Sequence, residues 1–279
     1  GQKVYAVNRR KNIVLAILGD DIREGLNIIV SHVDSPRLDL KAHPFYEDTC
    51  LALAETHYYG GIKKYQWVTI PLALHGKVVK QNGEEIDFVI GEAEDDPIFT
   101  ITDLLPHLSH RTQDSKKMSE GISGEQLDLL VGSIPVQDEK VKEKVKLFLL
   151  QILHEKYGLI EEDFVSAEIE AVPAYQARDI GFDRGLIGGY GHDDRVCAYA
   201  SLEAISEIEN PARTAIAYLA DKEEIGSDGN TGIKSSFLLD FVSDLIELYQ
   251  PNVNDRILRK VMAKSQVLSA DVNGAIDPS

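Results

Sequence analysis

Residues 214–226 read TAIAYLADKEEIG, an apolar run that ends directly in a cluster of acid. Ile216, Tyr218 and Leu219 within so short a run predict a β-strand over Thr214 to Leu219, and Asp221 to Glu224 then sit at its carboxyl end. A glycine-rich turn, Gly226 to Gly232, leads into a predicted helix from Ser235 to Tyr249, and Gln266 to Ala270 reads as a last strand with Asp271 at its end. Upstream, Asp193 to Glu209 reads as a helix opening on acidic residues, which suit a helix amino end. Near the start, Ile13 to Leu18 reads as a buried strand and Gly19 to Asp21 as a turn. Asn27 to Ser31 reads as a second strand, carrying His32 and Asp34 past its carboxyl end.

The middle of the chain has another character. Trp67 to Leu74 and Lys77 to Val79 read as paired strands around a turn at His75-Gly76. A second turn at Asn82-Gly83 precedes a strand from Ile86 to Ile90. Thr112 to Gly124 is polar and reads as a loop. Asp138 to Tyr157 is predicted helical, since Val141, Val145, Phe148, Leu149 and Ile152 recur at spacings of three and four. Phe164 to Val172 returns to strand. The fold class expected is therefore α/β, with residues 1–43 and 164–279 forming one domain around a β-rich insertion of residues 44–163.

Over 279 residues, 43% are apolar and 27% charged, the balance of a globular protein. A net charge of -17 opposes a nucleic-acid surface, which needs a basic face. Cys50 and Cys197 are the only cysteines, so a disulfide framework is excluded and a cytoplasmic home is expected. No leader or membrane-length apolar run is read. Gly1 and Ser279 both read as cut ends, so a fragment is expected.

Gathered together, the acids and histidine at strand and helix ends are His32 with Asp34, Asp193 with Asp194, Glu223 with Glu224, and Asp271. In open α/β sheets ligands bind beyond the carboxyl ends of strands, where residues distant in sequence converge. One imidazole with several carboxylates and no thiolate suits zinc, manganese or cobalt. A carboxylate can bridge two such ions roughly 3.5–4 Å apart. A free carboxylate beside them can move a proton. Taken singly, each pair has a plainer reading as a buried histidine with its acid, a helix cap or a solvated turn; their joint placement carries the inference. His43, His57, His75 and His154 read as surface or loop residues, and Cys197 as packing.

The sequence also resembles a family. Ser31-His32-Val33-Asp34-Ser35-Pro36-Arg37-Leu38 is similar to the His-x-Asp-Ser-Pro signature of the aspartyl aminopeptidase and aminopeptidase I family of dinuclear zinc exopeptidases. Tyr59-Gly60-Gly61-Ile62, Trp67, and Asp103 to His110 resemble its following segments. His192-Asp193-Asp194-Arg195 resembles its bridging-aspartate motif. Lys222-Glu223-Glu224-Ile225-Gly226-Ser227 resembles its Glu-Glu-Val/Ile-Gly-Ser motif, and Ser269-Ala270-Asp271-Val272 its Ser-Ala-Asp. These segments stand in family order from Ser31 to Pro278.

The resemblance implies a zinc-exopeptidase-like α/β/α catalytic domain interrupted by a β-rich dimerisation domain. It implies a metallo-aminopeptidase with two Zn ions per subunit, or Co or Mn in their place, assembled as a homododecamer that takes peptides and neither nucleic acid nor membrane. Carried over, His32 is a terminal ligand, Asp193 the bridge, Glu224 and Asp271 ligands, and Glu223 the general base. Asp34 holds the far nitrogen of His32. The family's fifth ligand is a histidine near its carboxyl end, and no histidine follows His192 here. A histidine of the inserted domain reaches the partner's site in the family. His110 is the candidate, with His107 the other histidine of that segment, which is one residue shorter than the pattern. The alternatives kept are a related two-metal carboxypeptidase or deacylase, and a non-catalytic structural homologue. The preferred amino-terminal residue, acidic or apolar, is left open.

Overall fold

The strand Ala215–Ala220 is buried at all six positions, so both of its faces need cover from other elements. The computed structural model describes residues 1–278. In chain order the elements are β1 (Lys3–Asn8), β2 (Asn12–Ile17), β3 (Asn27–His32), β4 (Arg37–Asp48), β5 (Leu51–Tyr59), β6 (Leu72–Val79), β7 (Glu85–Ile90), the one-turn helices α1 (Pro106–Ser109) and α2 (Met118–Gly121), β8 (Leu129–Gly132), α3 (Lys144–Tyr157), β9 (Glu168–Pro173), β10 (Arg178–Ile180), β11 (Leu186–Gly188), α4 (His192–Ser206), β12 (Ala215–Ala220), α5 (Phe237–Glu247), α6 (Asp255–Lys264) and β13 (Gln266–Ser269). They divide into two compact units, Gly1–Ser35 with Arg178–Ser279, and Pro36–Ala177.

The first unit is built on a five-stranded sheet in the order β1-β2-β12-β3-β13. β12 runs parallel to β3 and antiparallel to β2, and β13 runs parallel to β3. Alternate residues feed opposite faces. Ile17 and Ala217 meet Ile205 of α4 on one side. On the other, Val14, Ile28, Ile216 and Tyr218 meet Leu238, Phe241, Val242, Leu245 and Ile246 of α5, and Val261 of α6. The α5 residues recur at three and four, the stripe of an amphipathic helix. The Asn254 side chain caps α6 by accepting from the Ile257 amide at 3.1 Å. Because β3, β12 and β13 are parallel, their carboxyl ends lie along one edge of the sheet.

The second unit is a six-stranded sheet in the order β7-β6-β9-β4-β5-β8, with every pair antiparallel. Leu149 and Leu153 of α3 pack on a core that includes Phe45, Trp67, Leu72, Phe88, Leu129 and Phe164. The seams expected at Pro44 and Asp163 fall instead after Ser35 and after Ala177. β4, which runs through the expected seam at Pro44, and β9, which lies wholly beyond the one at Asp163, pair with each other inside this sheet, at Leu38 with Ala171 and Asp39 with Glu170.

Three local expectations are corrected here. His75-Gly76 is no turn: β6 runs straight through it, pairing with both β7 and β9. A Cβ at Gly76 would stand 2.0 Å from the Glu168 carbonyl oxygen, so this glycine admits a neighbouring backbone. Trp67 is buried outside any strand, just after the turn Lys64–Gln66. The helix expected from Asp138 begins at Lys144, where the Glu47 carboxylate of β4 accepts from the Val145 and Lys146 amides at 2.8 and 3.0 Å. Gly76→Ala is expected to destabilise the full-length protein by about 3 kcal/mol, the upper end of the usual cost of overpacking, because the clash is with main chain. Denaturant titration checks this; an unmoved midpoint would return Gly76 to a turn. Among the described residues no helix is long and apolar enough to cross a membrane.

Candidate metal centre

His32 is the last residue of β3, paired with Ala220 at the end of β12. Its ring is 4% exposed, and its two nitrogens meet different neighbours. Nδ1 lies 3.0 Å from the Asp34 carbonyl oxygen and 3.4 Å from Asp34 Oδ1. Nε2 faces acid on three sides: Asp193 Oδ1 at 3.3 Å, Asp271 Oδ1 at 3.8 Å and Glu223 Oε2 at 3.9 Å. Burial alone would lower the His32 pKa. The hydrogen bond and charge of Asp34, then the charge of Asp194, outweigh it and hold the imidazole at about 9.

Each acid arrives from its own element. Glu223 and Glu224 stand in the one-turn helix Glu223–Ile225 just past β12, between Lys222 and Gly226, both left-handed with φ of 65° and 83°. The loop is closed at its base by Thr231 Oγ1 donating to Asp221 Oδ2 at 2.5 Å, and by the Ser227 amide donating to the Lys222 carbonyl at 2.7 Å. The Asp34 carboxylate ties this loop to β3. The Glu223 and Glu224 amides donate to its Oδ1 and Oδ2 at 3.1 and 3.2 Å. Asp271 stands two residues past β13, after Ala270.

Asp193 and Asp194 open α4 with non-helical backbone and a cis peptide between them. α4 is held on β3 by the Ser31 and Ser201 hydroxyls, 2.7 Å apart, and by the Ser35 hydroxyl donating to the Asp193 carbonyl at 3.1 Å. Burial raises the Glu224 carboxyl above the usual range, with Asp34, Asp193 and Glu223 adding to it and His32 opposing. The Cys197 thiol lies against Asp194, and that contact together with burial holds it at about 11. It stays a thiol at neutral pH, in keeping with its reading as packing.

All six residues expected from the sequence in the metal and proton-transfer roles, His32, Asp34, Asp193, Glu223, Glu224 and Asp271, therefore meet in the first unit. Two overlapping groups share His32: one with Asp193 and Glu224, one with Asp194 and Asp271, the ligand atoms of each within 4.8 Å of one another. One imidazole and several carboxylates form the donor set of a zinc or manganese site, and this set fits. Asp194 is the residue that sequence reasoning grouped but gave no role. Nothing in a bare Asp-Asp pair says which carboxylate turns inward. His110 belongs to the second unit, exposed at the end of α1 with Nδ1 3.3 Å from the Pro106 carbonyl oxygen.

The sequence pattern of the family described as aminopeptidase I zinc metalloprotease (M18) matches residues 1–279. A relative from Clostridium acetobutylicum, described as a probable M18 family aminopeptidase 1, is 51% identical over 280 residues, covering 100% of this chain and 60% of its own length. The crystal structure of an M18 family aminopeptidase from Thermotoga maritima is 49% identical with a TM-score of 0.93, covering 99% of this chain and 60% of that one. The mApe1 dodecamer of S. cerevisiae shares the fold at 23% identity and a TM-score of 0.72, covering 100% of this chain and 62% of that one. The chain thus spans about 60% of the length of the curated relatives it matches.

Proposed function

The chain belongs to the aminopeptidase I zinc metalloprotease (M18) family, and from that membership we propose that the full-length protein is an aminopeptidase using two zinc ions per subunit to release the amino-terminal residue of peptides. The observation that carries this reading is the ring of acid around one buried imidazole, with Asp193, Asp271 and Glu223 all within 3.9 Å of His32 Nε2. His32, Asp193, Glu224 and Asp271 are the residues that would hold the metal. When bound, zinc supplies Lewis-acid polarisation of the scissile carbonyl and makes water a better nucleophile at neutral pH.

The protein's own groups do the rest. Asp34 fixes the orientation of His32 and the placement of the Glu223–Glu224 backbone. Glu223, half exposed beside the ring, takes the proton from the attacking water and delivers it to the leaving amine. The test is hydrolysis by the zinc-loaded full-length protein of aspartyl, glutamyl and leucyl peptides, each with a free and an acetylated amino end. Release of the first residue from free peptides alone is expected. Release from the carboxyl end, or cleavage of the acetyl group, would replace this reading with a carboxypeptidase or deacylase.

The second unit is read as a dimerisation domain, and the assembly as a dodecamer built from such dimers. Two things support this: the fold shared with a protein that is itself a dodecamer, and the exposed Leu104, Leu105 and Leu108 on the segment carrying His110. In that reading His110 reaches the partner's site. Sedimentation of the full-length protein at micromolar concentration should give a single large species, and a monomer would refute it.

A further inference from the structure

Asp194 is wholly buried, yet it is the residue that ties the start of α4 to the end of β3. Its Oδ2 accepts the His32 backbone amide at 3.2 Å. Its Oδ1 is one of three buried side-chain polar atoms without a hydrogen-bond partner among the described residues, and the only one that belongs to an acid. With only the His32 amide and the neighbouring Cys197 thiol against it, such a buried carboxylate is costly unless a cation stands near it. The same carboxylate offers an oxygen within 4.8 Å of ligand atoms of both His32 and Asp271.

We propose that Asp194 is a positioning residue of the metal centre, fixing the His32 main chain through one oxygen and supplying through its charge the buried counter-ion that the bound cation requires. This rests on the metallopeptidase reading. It assigns the two adjacent acids different work: Asp193, half exposed and 3.3 Å from Nε2, faces the ions, while the buried Asp194 holds the His32 main chain. Asparagine at 194 keeps the shape and an acceptor for the His32 amide but removes the charge. Alanine removes both.

The experiment uses the full-length protein stripped of metal, then titrated with zinc against a competing chelator and, separately, with cobalt followed by its visible absorption. For Asp194→Asn the metal-free melting temperature should match the parent. The zinc dissociation constant should rise about 10–100-fold, the usual effect of losing a partner behind a ligand, and the cobalt bands should shift. Asp194→Ala should lower the metal-free melting temperature as well. Parent-like zinc affinity and cobalt bands in Asp194→Asn would overturn the proposal. So would a metal-free melting temperature in Asp194→Asn as low as in Asp194→Ala, since the role would then be packing alone. A parent protein that binds no zinc would overturn this proposal and the metallopeptidase reading together, whereas a parent that binds zinc beside an indifferent Asp194→Asn sinks only the former.

Discussion

Glu223→Gln in the full-length enzyme is expected to keep its metal, its fold and its substrate binding while losing roughly 10²–10⁴-fold in kcat, the usual contribution of a general acid-base group. Glutamine has nearly the shape of glutamate and keeps an acceptor oxygen, but it cannot take the proton from water and pass it on. The neighbouring Glu224→Ala should behave otherwise, losing metal and activity together. Geometry separates the two. Glu223 stands half exposed with Oε2 3.9 Å from His32 Nε2, open to a substrate. Glu224 is more enclosed, and its carboxyl is pushed up by burial and by the acids around it. A group whose charge is unfavourable there gains most from a cation. Metal content by mass spectrometry beside kcat for both variants decides the matter. Metal lost from Glu223→Gln and kept in Glu224→Ala would exchange the two roles. Both variants at full rate would end the two-metal reading.

The site was far more legible than the insertion, for physical reasons. β2, β3, β12 and β13 are short apolar runs, and His32, Glu223, Glu224 and Asp271 stand on or just beyond the strand ends that converge. A run buried on both faces, as β12 is, announces itself, and the residue that follows it is polar. Where partners are remote, the signal fades. The acids and lysines from Asp138 to Glu143 look like the opening turn of a helix, but the group that caps α3 is Glu47, 98 residues earlier in the chain. A glycine that lets β9 approach β6 looks, in one dimension, the same as a glycine that turns a hairpin. β1 was not anticipated because it sits at a sheet edge with alternating half-exposed positions. α6 was legible and was passed over: Asn254 caps it, and Ile257, Leu258, Val261 and Met262 recur at helical spacing against the core. Asp193 and Asp194 show the same limit within the site, since identical neighbours differ only in the direction the folded backbone gives them.

Asp34→Asn should produce the second large effect, because one carboxylate there serves three groups. Its side chain is 1% exposed, with Oδ1 3.4 Å from His32 Nδ1. Oδ1 also accepts from the Glu223 amide, and Oδ2 accepts from the Glu224 amide. Asparagine has a single acceptor oxygen and must turn an NH₂ toward one of these donors. Whichever way it lies, the Glu223 or the Glu224 amide loses its partner, at about 1–3 kcal/mol, while His32 Nδ1 keeps the Asp34 carbonyl oxygen. The consequence reaches past stability, since the displaced backbone is that of Glu223 and Glu224. Zinc affinity should fall about 10–100-fold, and kcat at saturating zinc should fall as well, because Glu223 no longer stands beside the water. A double-mutant cycle isolates the coupling. If Asp34 acts on the rate mainly by placing Glu223, then Asp34→Asn should cost far less in kcat on a Glu223→Gln background than alone, while its effect on zinc affinity stays the same in both. Fully additive losses in kcat would show that Asp34 works through His32 alone. An Asp34→Asn enzyme with parent zinc affinity and parent kcat would mean that these hydrogen bonds do not organise the centre.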